Sequence, residues 1–192
     1  MTVPDTAPAI SFRPLTRADL PRLTDWLNTP HVAAWWRDEL RPDGAEPPPM
    51  TLEQTEVEYG PDIDAGGPGH EYVILVDGTD VGMIQWYRLA DFPEHAAAIG
   101  EQAGDAAAVD ILIADPAFVG RGVGSRVIDQ FVADVVLPVG VDRVVAGPAV
   151  GNARSIGAFA RAGFAWVRDA VVPDEIAPEH VMVRSHVGPS PG

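Results

Sequence analysis

Apolar positions recur along the chain in two rhythms, and the change from one to the other marks out the elements. Phe12-Arg13-Pro14-Leu15 reads as a short first strand. Thr16 and Asp19 have the spacing of a capping box, and Leu20, Leu23, Trp26 and Leu27 follow at helical intervals. Residues 42–49, which include three consecutive prolines, must be loop. Thr51 and Gln54 form a second capping box and open a short helix to about Tyr59; residues 60–69 are loop again. Tyr72–Val76 and Val81–Tyr87, on either side of Asp77-Gly78, have the pattern of a hairpin. Residues 88–105 make an acidic connection too long for a passive loop in a compact domain. A strand over Ala107–Ile113, a long helix over Gly122–Val136 and a strand over Arg143–Ala146 come next. Asn152 caps a helix that ends at Ala162-Gly163, and Phe164–Val172 and His180–Arg184 give the last two strands. The predicted order is β-α-α-β-β-β-α-β-α-β-β, with no internal repeat.

The strand-to-helix junction in the middle of this order carries the strongest chemical signal. Val119-Gly120-Arg121-Gly122-Val123-Gly124 stands between the apolar strand Val109–Ile113 and a helix whose Val123, Val127, Ile128, Phe131, Val132 and Val135 share one face. Three alternating glycines leave the first helical turn bare, so its backbone N–H groups and the helix dipole can close on a phosphate. Arg121 adds a positive charge there. A dinucleotide fold would place such glycines in its opening βαβ unit, with a suitable acid about 20 residues on. Here the motif lies past the middle of the chain, and Asp142 precedes a strand. A turn that merely needs glycine would explain one of these residues, but explains three with an arginine poorly.

Composition narrows the partners. The 192 residues suffice for one domain, predicted over 11–186, with frayed Pro/Gly/Ser-rich ends at 1–10 and 187–192. No 18-residue apolar run spans a membrane, and the first ten residues do not read as a secretory signal. The absence of cysteine removes disulfides, thiolate metal sites and a cysteine nucleophile, and fits a cytoplasmic protein. Thirteen Lys and Arg against 28 Asp and Glu give a formal charge of −15, which repels nucleic acid and anionic lipid and favours a small cationic partner. The same charge also serves solubility alone.

The element order and the central glycine loop resemble the GNAT superfamily of acetyl-CoA-dependent N-acetyltransferases. Asn152-x-Arg154-x-Ile156 running to Ala162-Gly163-Phe164 resembles that family's later helix. Within the superfamily the chain is most similar to aminoglycoside 6'-N-acetyltransferases: in Trp26-Leu27-Asn28 through Trp35-Trp36, in Gly82-x-x-Gln85-x-Tyr87, in Val109-Asp110 and in Pro173-Asp174. The tryptophan-pair segment also resembles siderophore-type lysine N-acyltransferases. The resemblance implies an α/β fold with a mixed, mostly antiparallel central sheet, flanked by helices and splayed at its central strands. It implies acetyl-CoA as cosubstrate, a cationic amine as acceptor, and a monomer or homodimer; no metal is expected.

Site residues follow from the same resemblance. The backbone of Ile111, Leu112 and Ile113 would pair with the pantetheine arm, and Val119, Gly120, Arg121, Gly122, Val123, Gly124 and Ser125 would hold the phosphates. Asn152 and Phe159 would complete the donor site. Trp35, Trp36, Tyr59, Gln85, Tyr87 and Asp174 would line the acceptor pocket, although core packing is an ordinary fate for an aromatic residue. Asp110 is the expected catalytic residue. A carboxylate within Ala-Ala-Ala-Val-Asp-Ile-Leu-Ile is costly unless paired or used, and in the resembling enzymes it takes or relays the amine proton. Four departures stand out. Phe159 replaces the family's proton-donating tyrosine, Val119 replaces a Gln or Arg, and Gly147 stands where those enzymes carry an aspartate. Their acidic loop is matched only loosely by Asp91, Glu94, Glu101 and Asp105. The five histidines show no ligand spacing. Three outcomes stay open: an aminoglycoside acetyltransferase, an acyltransferase for another amine, or a weakly catalytic binding protein of the same fold.

Overall fold

The computed structural model describes residues 7–36, 48–64, 66–101, 104, 106–173 and 177–185. Its frame is a seven-stranded sheet formed by β1 (Ile10–Pro14), β2 (His70–Val76), β3 (Thr79–Arg88), β4 (Ala106–Ile113), β5 (Arg143–Ala146), β6 (Ala165–Ala170) and β7 (Glu179–Ser185). The strands lie in the order β1-β2-β3-β4-β5-β7-β6. Every neighbouring pair is antiparallel except β4–β5.

That parallel pair explains the splay. β4 and β5 are in register only from Ala106–Arg143 to Ala108–Val145. β5 then stops at Ala146, while β4 runs on to Ile113, held along its other edge by β3. A strand edge that has lost its partner presents free N–H and C=O groups, and here it opens a cleft inside the sheet. Gly82 secures the β3 side, where a Cβ would overlap the Leu112 carbonyl oxygen.

Helices cover the sheet on both faces. On one side α1 (Leu20–Leu27), α2 (Pro30–Trp36) and α3 (Leu52–Ile63) pack Leu20, Leu23, Leu27, Val32 and Tyr59 against Val73, Met83 and Leu112. On the other side α5 (Val123–Phe131), its π-helical continuation over Val132–Val136, and α6 (Ala153–Arg161) bury Val127, Ile128, Phe131 and Phe159 against Ile74, Ile84 and Val109. Both capping boxes form; at Thr51 the hydroxyl accepts from the Gln54 N–H at 3.2 Å and the Gln54 side chain accepts from the Thr51 N–H at 2.9 Å. Asn152 accepts from the Ser155 N–H at 3.1 Å, as its place before α6 predicts.

Two helices go beyond the sequence reading. α2 has seven residues and α4 (Pro93–Ala98) six, fewer than an apolar repeat needs to declare itself. Helix α4 and the 3-10 turn Leu89–Asp91 fill what reads in sequence as one acidic connection. Helix α3 also runs past Tyr59 to Ile63, through Pro61. β6 begins one residue later than expected because Phe164 turns inward to meet Phe159 edge-on at 5.1 Å.

Candidate active site

Two depressions meet beneath Trp35 and Trp36 of α2. The first follows the unpaired edge of β4. Ile111, Leu112 and Ile113 form one wall, and Val119, Gly120, Gly122, Gly124 and Ser125 form its end. Asn152 closes it from α6. Gly120 and Gly122 both have φ of 76°, in the left-handed region that disfavours side chains, and a Cβ on either would meet nothing within 4 Å. Glycine is therefore needed for the backbone conformation, and the space above the loop stays open. Gly122 caps α5 without a side-chain hydrogen bond. The N–H groups of the first turn are thus available to an anion. Ser125 Oγ donates to the Gly122 carbonyl at 2.9 Å and fixes the turn.

Three expected donor-site residues lie elsewhere. Val123 and Phe159 are buried in the core, and Arg121 is exposed beyond the cleft lining. In their stead the cleft gains Arg154 and Arg161, seven residues apart on one face of α6, and His31, whose Nε2 lies 2.9 Å from the Ile113 carbonyl oxygen. Arg154 lies inside the Asn152-x-Arg154 motif, so its cation was visible in sequence; His31 depends on a helix too short to be read there.

The second cavity, of about 460 Å³, brings Trp35, Trp36, Tyr59, Gln85, Tyr87 and Asp110 together. Trp36 Nε1 donates to the Tyr59 hydroxyl at 3.1 Å, tying α2 to α3. Gln85 Nε2 donates to Asp110 Oδ2 at 3.2 Å. Phe92 and His95, delivered by the acidic connection, complete the aromatic wall, with Phe92 edge-on to Tyr87 at 4.7 Å. Burial lowers the pKa of His95, which favours its neutral form. Asp174 and Asp105 fall outside the described residues, as does His186. Glu101 is committed to Arg143 at 3.0 Å, and Asp91 and Glu94 are exposed outside the cavity.

The largest surprise is how acidic this cavity is. Glu58, Asp62, Glu71 and Glu179 line it along with Asp110. Glu58 and Asp62 share a face of α3 at i,i+4. Glu71 faces Gln85, which faces Asp110, in one row across β2, β3 and β4. Glu179 enters through Gly147: a Cβ at 147 would overlap its carboxylate. The acid that the resemblance places at 147 thus has a counterpart arriving from β7. Burial, reinforced by the charge of Asp62, raises Glu71 to about 7, and burial likewise raises Glu58. Among the described residues no group of three or more His, Asp or Glu could hold a metal ion. No described helix is long and apolar enough to cross a membrane.

Comparison with known proteins agrees with this geometry. The family model described as an acetyltransferase (GNAT) domain matches residues 16–171, so the chain belongs to that family of acetyl-CoA-dependent N-acetyltransferases. It is similar to the aminoglycoside N(6')-acetyltransferases type 1 of Klebsiella pneumoniae and Serratia marcescens, each 25 % identical over 185 residues, 92 % of this chain and 84 % of the relative. Among solved structures it resembles the aminoglycoside acetyltransferase AAC(6')-Ib in complex with coenzyme A, with a TM-score of 0.72 and 25 % identity over 93 % of this chain and 95 % of that one. The same enzyme with ribostamycin and coenzyme A gives a TM-score of 0.73 at 25 % identity, over 93 % and 94 % of the two chains.

Proposed function

We propose that the chain transfers acetyl from acetyl-CoA to a primary amine of a polycationic acceptor, an aminoglycoside at its 6'-amine, in a ternary complex without a covalent enzyme intermediate. The observation that carries this reading is the five-carboxylate, aromatic-walled cavity opening beside the cleft at β4. Carboxylates draw ammonium groups in, and flat aromatic faces suit sugar rings. The ribostamycin-bound relative supports the same acceptor class.

Each residue then has a task. The unpaired edge of β4 supplies backbone groups for the pantetheine arm, and a strand N–H there stabilises the developing oxyanion. The open first turn of α5, with Arg154 and Arg161, receives the phosphates. Asp110 takes or relays the proton of the attacking amine, with Gln85 fixing its carboxylate. Proximity of the two substrates supplies much of the acceleration. Phe159 offers no phenol, so the leaving thiolate takes its proton from water or from another group. Asp174 is proposed as a further acceptor contact.

A thiol-release assay with a panel of amines tests the reading. Turnover is expected with kanamycin and ribostamycin above that with spermidine or free lysine. Preference for a lysine or polyamine would establish the other acyltransferase reading, and coenzyme A binding without turnover on any amine would identify a binding protein.

A further inference from the structure

Helix α2 is fastened to the open edge of β4 by a side chain that the transfer step does not use. The Ala114 N–H donates to the Val81 carbonyl at 2.9 Å, one step beyond the Gly82–Ile113 pair. Backbone groups alternate sides along an antiparallel ladder, so Ile111 and Ile113 turn theirs away from β3, into the edge that β5 has left. One of those groups is already engaged: His31 Nε2 lies 2.9 Å from the Ile113 carbonyl oxygen. A carbonyl only accepts, so Nε2 carries the hydrogen and donates it.

From that anchor the helix reaches across the splay. α2 packs Val32 on one face of the sheet, and α6 packs Phe159 on the other. An unbroken sheet would keep the two apart. Here Trp35 comes up against the loop that opens α6, its ring 3.5 Å from where a Cβ on Gly151 would stand. Trp35 stays 48 % exposed, so the contact spans the cleft and is not part of a core. At the far end Trp36 is tied to Tyr59 on the acceptor side. His31, Trp35 and Trp36 all line the cleft, and the two tryptophans line the acceptor cavity as well. The place of the anchor matters. The glycine loop closes one end of the cleft and Asp110 lies past Ile111 at the other, so an arm joining them passes Ile113 first. Ile111 follows about 7 Å further along the strand.

Resting on the reading of this edge as the seat of the pantetheine arm, we propose that His31 is a positioning residue for acetyl-CoA. By holding the Ile113 carbonyl it seats α2 on the open edge and keeps Trp35 over the arm. The thioester is then presented at a fixed depth to an acceptor wall that hangs from the same helix. His31 moves no proton in the transfer; it acts through Ile113 and Trp35. The nucleotide end of the cofactor, at the glycine loop and the arginines of α6, lies outside its influence. Loss of the imidazole should therefore loosen the arm and spare the phosphates.

Calorimetry on the full-length protein tests this with two ligands: coenzyme A, and 3'-phosphoadenosine 5'-diphosphate, its nucleotide part without the arm. His31→Ala should weaken coenzyme A roughly tenfold and leave the armless nucleotide unchanged. His31→Gln, whose side-chain amide offers an N–H at similar reach, should recover most of the loss, and His31→Leu should recover none. Unaltered coenzyme A affinity in His31→Ala would overturn the assignment. So would equal losses for both ligands, the mark of a loosened fold, or a His31→Gln variant as weak as His31→Ala. Wild-type protein that holds coenzyme A no more tightly than the armless nucleotide would strike the reading of β4 as the seat of the arm, and the role of His31 with it.

Discussion

Asp110 and Glu71 occupy one row of one sheet, yet their surroundings give them different work. Asp110 is half-buried in the wall of the acceptor cavity, next in sequence to Ile111 of the cleft, with Gln85 donating to it. Asp110→Asn keeps the shape and removes the base, so turnover should fall roughly 10²–10⁴-fold while coenzyme A affinity holds. Steady-state kinetics with calorimetry checks both, and wild-type turnover in the variant would assign the proton to another group. Glu71 bears on stability instead. Its folded pKa is raised to about 7, so its contribution is fully present below the unfolded value and is lost as pH rises through about 7. Glu71→Gln should therefore stabilise the protein above neutrality, by an amount of order 1–3 kcal/mol, and change little at about pH 4. Denaturant melts at the two pH values measure it, and equal effects at both would show that the acid titrates normally. Asp110 and Gln85 were legible because they sit in motifs within one strand each. Glu71 was not: the predicted strand began at Tyr72, and only the β2–β3 register and the folding of α3 over it reveal a buried acid.

At the scale of elements, the glycine loop and the aromatic lining of the acceptor cavity were readable in motifs, while the acids Glu58, Asp62, Glu71 and Glu179 that line the same cavity were not. The glycine loop, the α5 cap and the Asn152 cap are local features, set by residues a few positions apart. The acceptor cavity is assembled from α2, α3, α4 and four strands distant in sequence, and α2 and α4 are too short to leave a periodic mark. Phe159 shows the reverse failure: its motif position suggested the cofactor, but packing against Phe164 places it in the core. Splay depends on elements too. The β3–β4 ladder must hold alone where β5 has ended, and Gly82 is its tightest point, with the Leu112 carbonyl oxygen where a Cβ would go. Gly82→Ala should push the strands apart and cost roughly 2–4 kcal/mol, the range of strongly disruptive substitutions. Its Michaelis constant for acetyl-CoA should rise with it, since Leu112 belongs to the cleft wall. A stable variant with unaltered kinetics would show that the ladder tolerates the shift.

Across the whole molecule, charge is segregated between the two substrates. The net −15 and the five cavity carboxylates make one opening attractive to a polycation. The same field repels acetyl-CoA at long range, and Arg154 and Arg161 at the cleft offset that repulsion locally. The two substrates should therefore respond differently to salt. From about 0.1 M to about 1 M the screening length falls from about 10 Å to about 3 Å, which removes the long-range field and spares only close contacts. The acceptor loses attraction at every distance, so its Michaelis constant should rise severalfold. Acetyl-CoA loses both a distant repulsion and part of a local attraction, so its constant should change little. Initial rates with each substrate varied against saturating partner, at both salt levels, separate these effects. A parallel rise of both constants would mean that salt perturbs the fold, and an acceptor constant indifferent to salt would rule out an acceptor held by its positive charges.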